Sequence, residues 1–292
     1  MDTARSLRTR DGAVIGYRLW RPGAPRRTLV LLHGLGSNLT RWSEFVANTS
    51  LRADWDILRP DLRGHGGSLD RGRIGMDEWC ADLAAVLEAE RAPRAVVAGH
   101  CLGANIAVEF ARRDPGAVLG LVLIEPMLRD ALRGSLSATA RLRPLSVPVV
   151  WLVRALNALG IRRRRVAPLD LVELDRGTRA AMSQGGSGTI ARRHAAPWVD
   201  LATTPTAVYL QSLMAVNRGV ADLEAIRVPV LALLSTGGAL SDPVLTERRL
   251  RALPNCRVLR LAAEHWIPTE QPEAMRNAIE EWCTELATAA RP

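Results

Sequence analysis

The chain has 292 residues, a formal net charge of +9, and 48% hydrophobic and 24% charged residues. These proportions are ordinary for a soluble globular protein and exclude a disordered, collagen-like or coiled-coil chain. The longest apolar runs, such as 228–234, fall far short of the roughly 20 residues of a transmembrane helix, and the first residues predict no signal peptide. The length fits a single large α/β domain with an insertion.

Strands and helices alternate over most of the chain. A hairpin is predicted around the turn formed by Asp11 and Gly12, and the other elements follow from apolar runs and helical periodicity. The predicted strands are 14–20, 28–32, 56–58, 95–99, 118–124, 228–234 and 257–261, and the predicted helices are 76–92, 102–113, 243–253 and 272–289. Such alternation indicates an α/β fold whose mostly parallel central sheet is flanked by helices.

The regular alternation stops between Pro126 and about Glu224, where helical patches, many arginines and the Gly/Ser stretch 185–188 follow one another. No internal repeat or low-complexity linker is visible there or elsewhere. We therefore predict that residues 1–125 and 206–292 form the α/β core and that residues 126–205 form a helical, Arg-rich cap inserted after one strand.

All 39 basic residues of the chain are arginines, a bias that genomic base composition alone would explain. Their distribution is uneven, because the segment 126–205 carries 13 arginines against five acidic residues. Such a basic field attracts an anionic partner. The run 162–165 is either a solvated face or a docking site for an acidic carrier protein or a phosphopantetheine phosphate. No nucleic acid or membrane is expected as a partner, since no nucleic-acid-binding module accompanies the run and no segment is apolar enough to span a bilayer.

The four cysteines are scattered along the chain (Cys80, Cys101, Cys256 and Cys283). They form no CxxC pair, and no set of His, Asp or Glu has metal-ligand spacing. The pattern predicts a protein of the reducing cytoplasm that uses no metal or other cofactor.

The segment 99–103, which reads GHCLG, follows a predicted strand and begins a predicted helix. This is the context of a nucleophile elbow, G-x-Nu-x-G, in which the nucleophile occupies a strained backbone conformation on a sharp turn. Side chains two residues before and after it would collide, which explains glycine at both positions. The positive end of the helix favours a thiolate and an oxyanion at Cys101. The alternative is a buried apolar cysteine on a glycine turn.

Two further motifs and a histidine extend this pattern. Residues 33–37 (HGLGS) look like an H-G-x-G oxyanion loop, and residues 61–68 (DLRGHGGS) look like a D-x-R-G-x-G-x-S signature. His265 follows the last predicted strand. Together with the elbow, these residues resemble the α/β-hydrolase superfamily over the whole predicted core, and the resemblance implies that His265 is the catalytic histidine.

The chain departs from that family at two positions. Cys101 stands where most members have serine, as it does in dienelactone hydrolases, polyhydroxyalkanoate synthases and some polyketide or peptide thioesterases. Gly238 stands where the acid usually lies, so that Glu125, at the end of the strand 118–124, is the expected acid. This spacing resembles that of haloalkane dehalogenases and of the discrete thioesterases that release polyether-type polyketides. Asp242 is an alternative acid, and a Cys–His pair without an acid is another.

The resemblance implies that His265 takes the proton of Cys101 while Glu125 orients the imidazole. The thiolate then attacks an acyl carbonyl, and the backbone N–H groups of Leu35 and Leu102 hold the oxyanion. Several aromatic and cap residues either line an acyl pocket or belong to the core: Trp42, Trp266, Trp151, Trp198 and Met182. The remaining histidines are expected to serve structure rather than chemistry: His33, His65, His100 and His194.

We therefore expect an enzyme that releases or transfers a thioester-bound, polyketide-like acyl chain through an acyl-cysteine intermediate. Its partner would be an acyl thioester, delivered by an acidic acyl carrier protein that docks near the Arg-rich cap. Two alternatives stay open. One is a carboxylesterase or lactone hydrolase acting on a small free ester, and the other is a non-catalytic ligand-binding protein on the same scaffold.

Overall fold

A computed structural model describes residues 2–141, 143–163, 165–183, 197–220 and 222–289, without the side chains of residues 143–145. The Gly/Ser stretch 185–188, Arg164 and His194 lie outside the described residues. Among the described helices, none is both long enough and apolar enough to cross a bilayer.

In the described part of the chain, eight strands form a single sheet in the order β1-β2-β4-β3-β5-β6-β7-β8. Their bounds are Asp2–Arg8 (β1), Val14–Trp20 (β2), Arg27–Leu32 (β3), Trp55–Pro60 (β4), Ala95–His100 (β5), Val118–Ile124 (β6), Val230–Ser235 (β7) and Cys256–Leu261 (β8). The pairs β1–β2 and β2–β4 are antiparallel, and all other neighbours are parallel. The predicted hairpin and the predicted mostly parallel sheet are both confirmed.

Helices cover both faces of the sheet. Their bounds are Ser43–Asn48 (α1), Met76–Ala89 (α2), Leu102–Arg113 (α3), Gly134–Arg141 (α4), Arg143–Ala158 (α5), Leu171–Ser183 (α6), Pro197–Thr203 (α7), Thr206–Arg218 (α8), Pro243–Arg251 (α9), Ile267–Glu270 (α10) and Pro272–Ala289 (α11). The resulting α/β-hydrolase fold, with parallel strands, flanking helices and helices inserted between β6 and β7, agrees with the predicted fold class.

The core consists of two apolar layers, one on each face of the sheet. Successive residues of a strand point to opposite faces, so Leu29 and Leu31 of β3 join the layer beneath α1 and α11, while Val30 and Leu32 join the layer beneath α2 and α3. Strands buried on both faces are the normal condition of a parallel sheet covered by helices. The layers hold the carboxyl ends of β3, β5, β6 and β7 side by side, where the candidate site lies.

The helices inserted between β6 and β7 do not end at residue 205. Helix α8, which the prediction assigned to the core, packs mainly against α5 and α4 and also contacts α3. Pro205 precedes α8 as a turn between two helices of the insertion, which the sequence pattern did not distinguish from a return to the core.

Three contacts attach helix α6 and the residues before it to the loop after β3. The Asn38 amide donates to the Leu169 carbonyl at 2.7 Å, and the Leu171 N–H donates to the Thr40 hydroxyl at 3.1 Å. Arg41 forms a buried ion pair with Asp175 at 2.7 Å. The cap is therefore held directly against the loop that the sequence predicts to form the oxyanion hole.

Candidate active site

Cys101 lies on the turn between β5 and α3, in a backbone conformation that is rare for a residue with a side chain. Its φ is 54° and its ψ is −115°. A Cβ placed on Gly99 would lie 2.2 Å from the carbonyl carbon of Gly103, and one placed on Gly103 would lie 2.4 Å from the Leu32 carbonyl oxygen. The two glycines therefore permit the close approach of β5, α3 and β3 that this sharp turn requires.

His265 and Glu125 reach the same turn from the ends of two other strands. The Nδ1 atom of His265 lies 3.1 Å from Oε2 of Glu125, and the His265 ring also forms a hydrogen bond with the Cys101 thiol. Oε1 of Glu125 accepts a hydrogen bond from the Ser235 N–H at 2.6 Å. The three side chains thus form one hydrogen-bonded chain, and all three are buried.

The charged groups around His265 favour its protonated form. Burial alone would lower the pKa of His265, but the hydrogen bonds and negative charges of Cys101 and Glu125 outweigh burial and raise the pKa to about 10. An imidazolium between a carboxylate and a sulfur atom stabilises a thiolate on that sulfur atom. The arrangement can therefore support a nucleophilic sulfur at Cys101.

The other three cysteines differ from Cys101 in their surroundings. Burial raises the pKa of the Cys80 and Cys283 thiols to about 12 and that of Cys256 to about 11. All four cysteines are free. Because the thiolate is the reactive form, these three thiols are poor nucleophiles at neutral pH.

The loop after β3 and the first residue of α3 flank the thiol where the sequence predicts an oxyanion hole. Leu35 belongs to the cavity wall beside Cys101, and a Cβ placed on the neighbouring Gly34 would lie 3.2 Å from the Cys101 Cβ. Leu102 begins α3, where helix geometry leaves its N–H without an intrahelical acceptor. His33 supports this loop, because its Nε2 accepts the Leu62 N–H at 3.0 Å.

Asp242, the alternative acid, forms its hydrogen bonds with groups outside the Cys101–His265–Glu125 site. Its Oδ1 accepts the backbone N–H groups of Val244 and Leu245 and so caps α9, while its Oδ2 pairs with Arg133 at 2.5 Å. These contacts lower the pKa of the Asp242 carboxyl, first through the bond from Leu245 and then through the Arg133 side chain. Gly238, at the usual position of the acid, faces the same Arg133 guanidinium.

A cavity of about 350 Å³ opens above the thiol, between the sheet and the cap. Its volume lies in the range of small-molecule sites. The wall is mainly apolar, with leucines from the cap, and it carries five hydroxyl groups: Ser37, Ser135, Thr139, Thr203 and Tyr209. The arrangement suits an acyl chain with its carbonyl at Cys101.

Of the five residues predicted to line an acyl pocket, the structure brings Trp266 into the wall of this cavity. Trp42 lies instead fully buried in the core, edge-on to Phe45. Trp151 and Trp198 are 65% and 74% exposed on the cap, and Met182 lies near the end of α6, outside the described wall of the cavity. Trp42 is thus the core residue that the sequence analysis left open as the alternative, whereas Trp151 and Trp198 lie on cap helices, whose inward faces composition does not reveal.

Sequence reasoning missed several residues that shape the site. Asp200 and Arg41 line the cavity, and the Glu270 carboxylate accepts backbone N–H groups of the loop that carries His265. His100 also lines the cavity, and its Nε2 lies 3.1 Å from the His265 carbonyl oxygen. The sequence offered a signal for Glu270 alone, because it follows His265 by five residues. The presence of the other residues in the site depends on contacts between distant segments.

The chain is similar to several known proteins. The profile of the family described as "Serine aminopeptidase, S33" matches residues 23–266. Protein phosphatase methylesterase 1 of Bos taurus is 29% identical over 171 residues, which cover 54% of this chain and 45% of that protein. A pimeloyl-(acyl-carrier protein) methyl ester esterase of Sodalis glossinidius is 38% identical over 103 residues, which cover 35% of this chain and 37% of that protein.

The chain spans between a third and a half of the length of these curated relatives. Among solved structures, a hydrolase from Pseudomonas aeruginosa superimposes with a TM-score of 0.69 at 22% identity, over 96% of this chain and 98% of that one. At this level of identity the similarity establishes the fold alone.

Proposed function

Because the chain belongs to the α/β-hydrolase family described as "Serine aminopeptidase, S33", we propose that it is a hydrolase or acyl transferase that works through an acyl-Cys101 intermediate. The observation that carries the proposal is the hydrogen-bonded chain from Glu125 through His265 to the Cys101 thiol at the floor of an apolar cavity. This is the relation between nucleophile, base and orienting acid that acyl transfer needs.

In the first half of the reaction, Sγ of Cys101 bonds to the acyl carbon and the carbonyl electron pair moves to oxygen. The N–H groups of Leu35 and Leu102 stabilise this oxyanion, and each such donor is worth about 3 kcal/mol in a preorganised site. The tetrahedral intermediate then expels a thiol or an alcohol, which leaves with the proton of His265. In the second half, water or another nucleophile gives its proton to His265 and releases the acyl group from sulfur.

Within this activity we propose a thioester-bound acyl chain, polyketide-like in kind, as the substrate. An acyl-cysteine is itself a thioester, so transfer from a thioester substrate to Cys101 exchanges one thioester for another. The name of the Sodalis relative refers to an acyl-carrier protein, which supports a carrier as the donor of the acyl chain here. Arg162 and Arg165 are exposed on the cap and provide positive charge for an acidic carrier.

A small free ester or lactone is the second candidate substrate. The methylesterases among the relatives favour it, since they act on esters by name. The ratio of kcat/KM for an acyl-carrier thioester to that for an aryl ester of the same acyl group separates the two candidates. A ratio above one supports the thioesterase, and a preference for the aryl ester without any gain from the carrier contradicts it.

A non-catalytic ligand-binding protein is the remaining alternative, and alkylation with iodoacetamide at pH 7 tests it. The proposal expects rapid alkylation confined to Cys101, because burial raises the pKa of the other three thiols. The His265→Ala variant should lose most of this reactivity, since it lacks the imidazolium that stabilises the thiolate. Equal and slow reaction of all four cysteines would contradict a catalytic role for Cys101.

A further inference from the structure

Asp200 places a carboxyl group in the same cavity as the Cys101 thiol. It lies on α7, in the wall that also contains His265, and it faces the loop predicted to form the oxyanion hole. A Cβ placed on Gly36 would lie 2.2 Å from Oδ1 of Asp200, so the carboxyl group rests directly against the bare backbone of that loop. Any other residue at position 36 would displace this carboxyl group.

The carboxyl group of Asp200 has no ion pair among the described residues. Arg41 lines the same cavity, but its guanidinium lies against the Asp175 carboxylate, which neutralises it. Burial raises the pKa of Asp200 to about 7, and no opposite charge offsets the effect. Burial and, after it, the charge of Asp200 raise the pKa of Tyr209 on α8, and the effect of Asp200 marks the two groups as neighbours. The other titratable groups of the wall are Cys101, His265 and His100.

The two protonation states of this group have opposite consequences for catalysis. A carboxylate beside the oxyanion loop would repel both the developing oxyanion and any anionic substrate. A neutral carboxyl group adds no charge and can donate one hydrogen bond into the cavity. Apart from Arg41, His100, Cys101 and His265, the rest of the wall consists of apolar side chains and hydroxyl groups, which are compatible with the neutral state.

We propose that Asp200 determines which acyl groups the cavity accepts. As a carboxyl group it donates a hydrogen bond to an oxygen of an uncharged acyl chain, and as a carboxylate it excludes acyl chains that carry a negative charge. The substrate class is therefore an uncharged acyl chain with a hydroxyl or carbonyl oxygen near the reacting carbonyl. The inference rests on the proposed function, because it takes Cys101 as the residue that receives the acyl group.

The test compares two alkylating reagents of similar size, neutral iodoacetamide and anionic iodoacetate, at Cys101. Their rate constants are measured between pH 5.5 and 8.5 by mass spectrometry of the Cys101 peptide. The ratio of the two rate constants cancels the ionisation of the thiol, because both reagents attack the same thiolate. In the unmodified protein, the preference for iodoacetamide should increase by about threefold to tenfold as Asp200 ionises.

The Asp200→Asn variant should show a ratio that does not change with pH, because the amide cannot ionise. The Asp170→Asn variant removes an exposed cap carboxylate that caps the start of α6, and it should retain the pH dependence of the unmodified protein. A flat ratio in the unmodified protein, or an unchanged rise in Asp200→Asn, would overturn this inference while leaving the proposed function intact. A Cys101 that reacts with neither reagent would overturn both.

Discussion

Glu125 leaves β6 with a positive φ of 51°, which turns its carboxylate toward His265 and the Ser235 N–H. The Glu125→Gln variant should lower kcat/KM by about 10²- to 10⁴-fold, because an amide neither fixes the imidazole tautomer nor stabilises its cation. Steady-state rates on an acyl thioester measure the effect, with circular dichroism to show that the variant is folded.

The matched control is Asp242→Asn. Asparagine can still cap α9, and the residue lies outside the hydrogen-bonded chain of the site, so kcat/KM should stay close to that of the unmodified protein. If the Asp242 variant loses activity and the Glu125 variant keeps it, the acid belongs to the later loop and the assignment of Glu125 is wrong.

Asp200 should reduce the stability of the fold at neutral pH. Its pKa is about 7 in the folded chain and near 3.8 when unfolded, so the folded state retains a proton between these values and loses stability as the pH rises through them. We expect Asp200→Asn to match the unmodified protein at pH 4 and to exceed its free energy of unfolding by about 2 kcal/mol at pH 8, allowing for partial exposure.

Urea denaturation at the two pH values measures this difference. A gain of the same size at pH 4 and pH 8 would mean that Asp200 does not titrate as described. A carboxyl group that lowers stability in this way is more readily understood as a group retained for function than as a packing residue.

At the scale of elements, the site depends on the close contact between β3, β5 and α3. The Gly103→Ala variant adds a Cβ that would lie 2.4 Å from the Leu32 carbonyl oxygen, so α3 must move away from β3. Overpacking of this kind costs about 1–3 kcal/mol, and the shift also moves the Leu102 N–H.

Thermal unfolding and the rate of Cys101 alkylation should therefore both change in Gly103→Ala. The control is Gly116→Ala, where the nearest atom to the added Cβ is an Asp114 carboxylate oxygen at an ordinary 3.6 Å. Equal effects of the two substitutions would show that the contact with Leu32 is not tight.

The core elements follow from the sequence because apolar runs, helical periodicity and the glycine pattern of residues 99–103 are local signals. The position of Glu125 at the end of β6 follows as well, once the strand is recognised. The cap does not follow from the sequence in this way, because the faces of helices α4 to α8 that point inward are determined only by how these helices pack on each other. For this reason the sequence did not distinguish the exposed Trp151 from the wall residue Trp266, and it gave no sign that Asp200 meets Gly36 across 164 positions of chain.

At the scale of the whole molecule, positive charge and apolar surface meet on the cap. Arg154 stacks on the exposed Trp151 at 5.4 Å, and Leu159 and Ile161 are exposed just before the arginine run. Within that run, Arg163 donates to the Thr204 carbonyl at 2.7 Å, and both Arg163 and Arg165 are exposed. A carrier protein that docks here would contact both positively charged and apolar side chains.

The Arg165→Glu variant should raise KM for a carrier-bound thioester by about threefold or more at low salt, because charge complementarity governs the encounter. Its KM for a small free thioester should not change. Arg94→Glu makes the same change of charge just before β5, at the opposite end of the sheet from the cap, and should affect neither substrate. Equal effects of the two variants on the carrier substrate would contradict docking at the cap.

Intact-protein mass spectrometry after rapid mixing with an acyl thioester tests the central claim, that acyl transfer passes through the sulfur of Cys101. The account predicts a single added acyl mass that peptide mapping assigns to Cys101 and that is absent from Cys101→Ala. Turnover by the Cys101→Ala variant at an undiminished rate, or an acyl mass on any other residue, would contradict it.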